Sequence, residues 1–516
     1  MRFIYFKFIL RIGAISFASL SAISCSDDAE NTMTSGGPGD ACGPGAVLCD
    51  ATCTSTELDP NNCGQCGNAC ADGEACQSGS CVFECNGGAT DCNGSCVDMQ
   101  NDPANCGECG NACDAAQEVC SAGQCVASCG SGALTRCGES CVDTMSDAAN
   151  CGQCGEPCAG GSACVVGQCV VQEAPKAVYT MTNDPAGNRI LAFGRAEDGS
   201  LKPSGTFADT GGRGTGGGLG NQRGLVFDPT QNLFFAVNAG DSSISMLSLQ
   251  LDGSLELLST VPSGGERPVS VTVSGSVVYV LNAGVAANGT EANISGFKIA
   301  GAELTSIADS TRPLSAANPG PAQIQFSPDG AALVVTERMT NMLSSFTVKS
   351  DIATGPFFTA SGGMTPFGFD FSANGQVIVS EAQGGMANMA SASSYSLGAT
   401  GALTPVTSAI ATTRTSACWL AVAGDYAYVA NAQTDDITGL AIAADGSLTL
   451  LDADGVTGQA GDAPVDLDVT DGNDFLYVVN NGDHSFSIFQ INADGSLTKK
   501  PDFIGLPTTA LGIVAR

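Results

Sequence analysis

Histidine is almost absent from the sequence. His484 is the only histidine in 516 residues. A Ser-His catalytic triad would depend on this single side chain, and no G-x-S-x-G phrase is present to carry a serine nucleophile. The composition therefore argues against a serine hydrolase of that type.

Basic residues are also scarce. Lys and Arg total 19 against 52 Asp and Glu, so the net charge at pH 7 is −33. A chain with this charge is repelled by nucleic acid and by anionic membrane surfaces. We therefore expect no nucleic-acid partner for this protein.

Long hydrophobic runs are confined to the start of the chain. Three basic residues precede an apolar run over residues 12–23, which is the pattern of an export signal. The run is shorter than the ~20 residues that span a bilayer. It ends in "SAISC", which resembles the lipobox of bacterial lipoproteins and implies that Cys25 carries a lipid. The alternative is an ordinary cleaved signal in which Cys25 has no such role.

Residues 26–41, "SDDAENTMTSGGPGDA", are polar, acidic and rich in glycine. This composition is typical of a flexible tether. We assign residues 1–24 to the signal and 25–41 to the tether. These assignments predict an exported lipoprotein in the outer membrane or at the cell surface, on its periplasmic or extracellular face.

Large apolar residues are rare in the following segment. Between Cys42 and Cys169 the only Leu, Ile, Phe, Met, Trp or Tyr residues are Leu48, Leu58, Phe83, Met99, Leu134 and Met145. A unit of about 43 residues with so few such groups cannot bury enough surface to offset its chain entropy. Something other than a hydrophobic core must therefore stabilise it.

Cysteine is what this segment has in abundance, and 24 of the 26 cysteines form three repeats of eight. Residues 42–81 contain Cys42, Cys49, Cys53, Cys63, Cys66, Cys70, Cys76 and Cys81. Residues 85–125 contain Cys85, Cys92, Cys96, Cys106, Cys109, Cys113, Cys120 and Cys125. Residues 129–169 contain Cys129, Cys137, Cys141, Cys151, Cys154, Cys158, Cys164 and Cys169.

An even number of cysteines per repeat in an exported chain favours disulfides. Zinc binding is the main alternative, but each repeat has a single C-x-x-C pair and no histidine. Redox catalysis by the C-x-x-C pair is a third possibility. The spacing does not define the pairing within a repeat. The segment resembles the cysteine-rich repeats of large bacterial surface proteins, which implies a stalk or adhesion role.

From residue 176 onward the sequence alternates apolar and polar residues in short segments separated by glycine-rich turns. One phrase is "RGLVFDPTQNLFFAVNAGDSSISMLSLQLDGSL". The second strand of each unit ends in a marker residue, and successive markers lie 44 to 55 residues apart: Asn183, Asn238, Asn282, Glu337, Glu381, Asn431 and Asn480. Seven four-stranded units predict an all-β fold, a seven-bladed β-propeller over residues 176–516 preceded by a loop-dominated, disulfide-rich stalk.

The two ends of this region complement each other. The last residues, "TTALGIVAR", match only the first strand of a unit, and the stretch after Pro175 matches only the later strands. We therefore predict that the C-terminal strand completes the first blade and closes the ring.

These phrases resemble the seven-bladed lactonase family, which includes 6-phosphogluconolactonases and muconate lactonising enzymes. The resemblance rests on "PAQIQFSPDGAALVVTERMTNMLSSFTV" and on "DGSL" at Asp198, Asp252, Asp445 and Asp494. It implies a lactonase-like propeller that needs no metal and no cofactor. Blade phrases define a fold better than a reaction.

The predicted topology places the start of each first strand and the end of each second strand on one face. Residues expected to ring that mouth of the channel are Arg223, Arg267, Gln323, Phe367, Arg414 and Asp466, with Glu337, Arg338 and Glu381 beside them. Such a funnel suits a small acidic or carbohydrate ligand, and Glu337 is the candidate general base for water.

Active members of the family carry Arg and His where this chain has Ala322 and Gln323. Glu337 matches the family's strand-end glutamate, but Glu337 and Glu381 could instead close their strands as asparagine does elsewhere. We therefore expect a monomeric surface module that binds a small ligand or a surface protein. The alternative is a lactone hydrolase acting on an acidic sugar lactone. Cys418 lies beside Trp419 on an apolar strand and is expected to be core rather than a nucleophile.

Overall fold

The computed structural model describes residues 173–516 without interruption. Before them it describes 47–49, 52–54, 65–67, 75–77, 80–82, 90–91, 96–113, 118–126, 129, 134–137, 140–158 and 162–171. The predicted signal, Cys25 and the tether lie outside the described residues. The chain divides into two compact units between residues 173 and 174. No helix within the described ranges is long and apolar enough to cross a membrane.

The cysteine-rich unit is built from very short antiparallel hairpins. Its strands are Val47–Cys49, Thr52–Thr54, Ala75–Gln77, Ser80–Val82, Thr90–Asp91, Cys96–Val97, Val119–Ser121, Gln124–Val126, Thr135–Cys137, Ser140–Val142, Ser162–Val165 and Gln168–Val171. Strands of two to four residues offer few ladder hydrogen bonds, so cross-links must supply most of the stability.

Disulfides supply these cross-links, as predicted. The third repeat contains four: Cys129–Cys141, Cys137–Cys154, Cys151–Cys164 and Cys158–Cys169. In the second repeat the described pairs are Cys106–Cys120 and Cys113–Cys125. These two occupy the same places in their repeat as the last two pairs of the third repeat. The connectivity of the third repeat is therefore first to third, second to fifth, fourth to seventh and sixth to eighth cysteine.

The alternative of a zinc site in these repeats is not supported. Two groups of three cysteine sulfurs lie within 4.8 Å of one another, around Cys106 and around Cys151. All six belong to the disulfides just described, and the described part of the chain contains no free cysteine. Because zinc binds the thiolate form, disulfide sulfurs do not provide such a site.

The second unit is a ring of seven antiparallel sheets, numbered here as blades 1 to 7 in chain order. Blade 1 comprises Leu511–Ala515, Ala177–Met181, Arg189–Arg195 and Leu201–Asp209. Blade 2 comprises Leu225–Asp228, Leu233–Asn238, Ser243–Leu249 and Leu255–Pro262. Blade 3 comprises Pro268–Ser274, Val277–Asn282, Asn293–Ala300, Glu303–Ser306 and Arg312–Pro313. Blade 4 comprises Pro321–Phe326, Ala332–Glu337, Met342–Lys349 and Ile352–Ala360.

The remaining three blades follow the same plan. Blade 5 comprises Pro366–Phe371, Gln376–Glu381, Ser391–Leu397 and Leu403–Ala411. Blade 6 comprises Ala417–Ala423, Tyr426–Asn431, Asp436–Ile442, Leu448–Leu450 and Gly458–Gln459. Blade 7 comprises Pro464–Val469, Phe475–Asn480, Ser485–Ile491 and Leu497–Ile504. The fourth strand of blades 3 and 6 is divided in two, so these sheets hold five strands instead of the predicted four.

The C-terminal strand closes the ring, as predicted. It pairs with the first strand of the unit in antiparallel register, with Tyr179 opposite Val514 and Thr180 opposite Ile513. The Thr180 hydroxyl donates a hydrogen bond to the Gly512 carbonyl over 2.7 Å. Both sheet edges that an open ring would expose are thereby paired.

Burial explains why the first two strands of each blade are so apolar. The second strands of blades 2, 3, 4 and 7 are buried at every residue, whereas the outer strands are mostly exposed. A strand covered on both faces by neighbouring blades needs a continuous apolar run rather than simple alternation. The hydrophobic core therefore lies between adjacent blades around the ring.

The repeated "DGSL" phrase forms the turn between the third and fourth strands of a blade. In each of the four copies, the aspartate accepts hydrogen bonds from the serine backbone and hydroxyl two residues later. The glycine has a left-handed φ of 81–88°, which favours glycine. Tyr477 of blade 7 donates to the Gly199 carbonyl of blade 1, and Tyr428 of blade 6 donates to that of Gly495. The turns thus hold one blade against the next.

Candidate functional site

The first strands of the blades surround the central channel, and we call the face where they begin the upper face. A residue one or two positions before that strand is left-handed in blades 2 to 7: Arg223, Arg267, Gly320, Thr365, Ser416 and Ala463. In blades 3 to 7 the pairing then shifts by one residue. Such bulges re-aim side chains at the rims of sheets.

Glu337, the predicted general base, is fully buried at the upper end of blade 4. Oε2 accepts hydrogen bonds from the hydroxyls of Ser315 and Thr340, the latter over 2.8 Å. Oε1 accepts from the Ser344 hydroxyl and the Ser315 amide. All four donors belong to blade 4 or to the loop leading into it, so the carboxylate faces its own blade.

Glu381 of blade 5 repeats this arrangement. Its carboxylate is fully buried and accepts from the hydroxyls of Ser361, Ser391 and Ser393 over 2.6–2.8 Å. The Gly363 amide is a fourth donor at 2.7 Å. Two adjacent blades therefore use glutamate in the same way.

Asparagine takes the same role in other blades. Asn480 donates to Ser485 and Ser487, and Asn238 donates to Ser243 and Ser245. In each case the partners are hydroxyls on the third strand of the same blade. The marker residue thus ties the second strand to the third at the upper face. This geometry favours a structural role for Glu337, and its catalytic role stays a prediction.

The predicted arginines do not converge. Arg267 is exposed on the rim. Arg414 forms an ion pair with the fully buried carboxylate of Asp436 in its own blade. Burial raises the pKa of Asp436, and the hydrogen bond from Arg414 opposes that rise. Arg338 lies over the Phe367 ring with its Cζ 5.4 Å from the centroid.

Gln323 joins two blades instead of facing a ligand. It is fully buried, its Nε2 donates to the Phe369 carbonyl over 2.6 Å, and its Oε1 accepts from the Phe369 amide over 2.9 Å. Both hydrogen-bonding atoms of the amide are therefore satisfied by the first strand of blade 5.

A segment that the sequence analysis did not single out fills the upper channel. Residues 219–222 are buried, and their contacts reach the first strands of several blades. The Gln222 amide group exchanges two hydrogen bonds with the Leu420 backbone of blade 6, over 2.8 and 3.0 Å. The Gln222 backbone amide donates to Ala322 of blade 4, and Trp419 Nε1 donates to the Asn221 carbonyl over 2.7 Å. We call residues 219–222 the plug.

Glycine makes room for the plug. A methyl group added at Gly368 would collide with Gln222 Oε1, and one added at Gly220 would collide with the Arg338 guanidinium. The preceding loop is hydrogen-bonded to blade 1, where Asn183 accepts from Thr215 and donates to Gly217. The chain itself therefore occupies much of the predicted funnel.

Below the plug lies a cavity of about 190 Å³. Gln222 lies at its upper end, while Pro229 and Asp471, both exposed, line its other end. Its charged lining consists of Arg223, Asp370, Asp466, Asp468, Asp471 and Arg516. Of the predicted ring, only Arg223, Asp466 and the first-strand backbone contribute to it.

Burial raises the pKa of Asp466 well above its usual range, and it raises that of Asp468 to about 7. The hydrogen bond from the Ala515 amide to Asp468 Oδ2 opposes the rise. The charge of Arg223 lowers the pKa of both carboxyl groups, and that of Asp370 raises the pKa of Asp468. Asp468 is therefore partly protonated near neutral pH, and burial favours the protonated form of Asp466.

Asp370, Asp468 and Arg516 of this cavity were not predicted from the sequence. One signal was available: Asp466 and Asp468 are two residues apart on one strand, so their side chains share a face. The pattern of the family instead predicted a site at the upper mouth of the channel. Cys418 is fully buried and disulfide-bonded, so it presents no free thiol nucleophile.

Comparison with known proteins agrees with this architecture. The family model described as "Lactonase, 7-bladed beta-propeller" matches residues 292–417 and 391–510. The model described as "Stigma-specific STIG1-like protein family" matches residues 19–84 and 78–128. No curated protein matches the chain in sequence.

Solved structures with this fold include the periplasmic gluconolactonase of Pseudomonas aeruginosa. It has a TM-score of 0.53 and 18% identity, over 66% of this chain and 99% of that protein. A Lactobacillus plantarum protein has a TM-score of 0.53 and 19% identity, over 66% of this chain and 98% of its own. At such identities the likeness extends to the fold alone. The chain thus carries a seven-bladed propeller, and residues 292–510 match the lactonase family model.

Proposed function

We propose that this lactonase-type propeller is a binding module for a small acidic or carbohydrate ligand, displayed by an exported lipoprotein. The observation that carries the proposal is the state of Glu337. Both of its carboxylate oxygens accept hydrogen bonds from groups of its own blade, and the side chain has no exposed surface. A general base must reach the proton that it removes, directly or through one water molecule.

The polar groups around the expected site also favour binding over hydrolysis. Ala322 and Gln323 stand where active relatives place Arg and His, and the Gln323 amide is fully engaged between two blades. The ligand class is argued from a similar structure, because a solved propeller of this fold is a gluconolactonase. Sugar acids and their lactones are therefore the first compounds to test.

The decisive experiment compares binding with turnover on the purified full chain. Calorimetry with D-gluconate and D-glucono-δ-lactone measures binding, and acid release in a pH-stat measures hydrolysis of a lactone panel. We expect binding without turnover above the spontaneous rate. Turnover that Glu337→Gln abolishes and Glu381→Gln preserves would overturn the binding proposal, since the two glutamates have equivalent surroundings.

Lactone hydrolysis is the second candidate function, and a specific feature favours it. Asp468 lies in the channel cavity with a pKa of about 7, close to the value that suits a general base at neutral pH. Arg223 in the same cavity could stabilise a developing oxyanion. If lactones are turned over, loss of activity in Asp468→Asn with retention in Glu337→Gln would assign the reaction to the cavity.

The lipoprotein part of the proposal has its own test. Expression of the full chain in bacteria fed a labelled fatty acid should give a labelled protein in the membrane fraction. Cys25→Ala should remove the label and release the protein. An ordinary cleaved signal would be favoured if the native chain carried no label. It would also be favoured if the Cys25→Ala variant kept the label.

A further inference from the structure

Two arginines enter the channel cavity without forming ion pairs. The ion pairs within the described ranges involve Arg189, Lys298, Arg414 and Lys499, and neither Arg223 nor Arg516. Arg223 Nε and Arg516 Nε and Nη1 are buried atoms without hydrogen-bond partners among the described residues. Leaving a charged donor buried and unpaired costs about 1–3 kcal/mol or more. The Arg516 guanidinium lies over the Phe227 ring, with its Cζ 4.7 Å from the centroid, but this contact provides no acceptor in the plane of its N–H groups. The N–H groups of the two arginines therefore point to an acceptor from outside the chain.

The carboxyl groups of Asp370, Asp466 and Asp468 do not meet this need, because backbone amides and the Gln325 side chain already engage them. Asp370 accepts from Gln325, Phe371 and Val422 over 2.8–3.1 Å. Asp466 accepts from the Leu467 amide, and Asp468 accepts from the Ala515 amide. Each of these hydrogen bonds holds the carboxyl group on the channel wall.

We propose that this cavity, in the lower half of the channel, binds the carboxylate of a small hydroxy acid through Arg223 and Arg516. The inference rests on the proposed function and deepens it, because it moves the ligand from the predicted upper mouth to the opposite side of the plug. Guanidinium groups pair with carboxylates through two parallel hydrogen bonds. The aspartates offer hydrogen-bond partners for the hydroxyl groups of the same molecule.

The charge in the cavity selects an anion over a metal cation. Two guanidinium groups face four carboxyl groups, those of Asp370, Asp466, Asp468 and Asp471. Burial raises the pKa of Asp466 and Asp468, which favours the neutral form of these two. The described residues contain no acidic cluster with ligand atoms close enough to share a metal ion. A monoanion fits this balance better than phosphate, since a doubly charged group would face the carboxylate of Asp370.

Size limits the ligand as well. A water molecule occupies about 30 Å³ in the liquid, so 190 Å³ corresponds to about six water molecules. That space suits an acid of about three to six carbon atoms. Entry would be from the end lined by exposed Pro229 and Asp471, because the plug blocks the other side.

The test is calorimetric titration of the full chain with D-gluconate, D-glycerate, inorganic phosphate and uncharged D-glucose. We expect one carboxylate molecule to bind per chain, and we expect glucose and phosphate to bind with much lower affinity. Arg516→Gln and Arg223→Gln should each weaken carboxylate binding about tenfold or more, as expected for loss of a charged hydrogen-bonding partner. Arg516→Lys keeps the charge but lacks the two parallel donors of a guanidinium group. We expect it to bind the carboxylate more weakly than the native chain and more tightly than Arg516→Gln.

Arg189→Gln is the matched control. Arg189 pairs with Asp209 on an exposed outer strand, and both side chains are more than half exposed. This variant makes the same change of charge and side chain far from the cavity lining, so binding should not change. Thermal unfolding without ligand identifies any cavity variant that fails to fold.

The outcomes separate the two proposals. Carboxylate binding that neither cavity variant weakens overturns the site while leaving the binding function intact. Binding of glucose or a neutral lactone without any carboxylate overturns the ligand class. If no member of the panel binds the native chain, the inference and the binding function fail together.

Discussion

At the scale of single residues, Glu337 and Glu381 form a natural pair. Each is a buried carboxylate that accepts from three hydroxyls and one amide of its own blade region. Each closes its strand where other blades use asparagine. If matched variants of Glu337 and Glu381 differ in activity, the difference therefore reflects a functional role of one residue, because the local environments of the two are the same.

We predict that Glu337→Gln and Glu381→Gln destabilise the propeller by similar amounts, about 1–2 kcal/mol each. Glutamine keeps the volume of the side chain but replaces one acceptor with a donor that faces hydroxyl groups. Chemical denaturation of both variants measures the effect. A much larger loss in one variant would contradict the equivalence of the two positions.

Asp468 predicts a dependence of stability on pH. Its pKa is raised to about 7 by burial, against about 3.9 in an unfolded chain. Because the folded pKa is the higher one, the contribution of the protonated group is complete below about pH 4 and is lost as pH rises through 7. The charged groups that share its cavity are Asp370, Asp466, Asp471, Arg223 and Arg516.

Asp468→Asn cannot ionise and keeps an acceptor for the Ala515 amide. We therefore expect this variant to gain stability relative to the native chain between pH 4 and pH 8, by at most about 4 kcal/mol. Melting temperatures of both proteins across this range measure the difference. A difference that does not change with pH would show that Asp468 ionises normally.

At the scale of elements, the closing strand Leu511–Ala515 contributes more to the stability of the propeller than its five residues suggest. It is buried at every residue and completes the first sheet. Its removal would expose the edge of Ala177–Met181 and one side of the channel.

We predict that deleting residues 508–516 lowers the melting temperature of the whole propeller by ten degrees or more, or prevents folding. An exposed, fully apolar edge also promotes aggregation. Thermal unfolding and light scattering measure the two effects. Deletion of residues 85–125, a single cysteine repeat, serves as a control and should leave the melting of the propeller unchanged.

The elements also show what could be predicted from sequence. Two-residue alternation and a 44–55-residue repeat were sufficient for seven blades and for the closing strand, because strand periodicity is a local property. The plug was not predictable. Gln222 and its hydrogen-bond partner Leu420 are 198 positions apart in the sequence. The glycines that precede the plug indicate only that the backbone there can adopt many conformations.

The same limit applies to the candidate site. The position of Glu337 at a strand end was correct, but its partners Ser315 and Ser344 come from a loop and a different strand. Arg516 joins the cavity only because the C-terminal strand returns to blade 1. Such convergence depends on tertiary contacts that a linear pattern does not contain.

At the scale of the whole molecule, two units rely on different sources of stability. The cysteine-rich unit depends on disulfides between very short strands, and the propeller depends on buried apolar strands. A treatment that acts on one source should leave the other unit folded.

We predict that mild reduction under native conditions unfolds the cysteine-rich unit and leaves the propeller folded. Amide hydrogen exchange followed by mass spectrometry would show loss of protection there, with the second strands of the blades unchanged. Cys418 should resist the reductant because it is fully buried. Simultaneous loss of protection in both units would contradict their independence.

The pairing of the last strand with the first has one more consequence. The Arg516 amide donates to the Ala177 carbonyl over 2.9 Å, so the two termini of the propeller are adjacent. A short linker could join them, and the backbone could then be cut between any other two blades. Such circular permutants should refold to the same structure, because the ring itself has no preferred starting point.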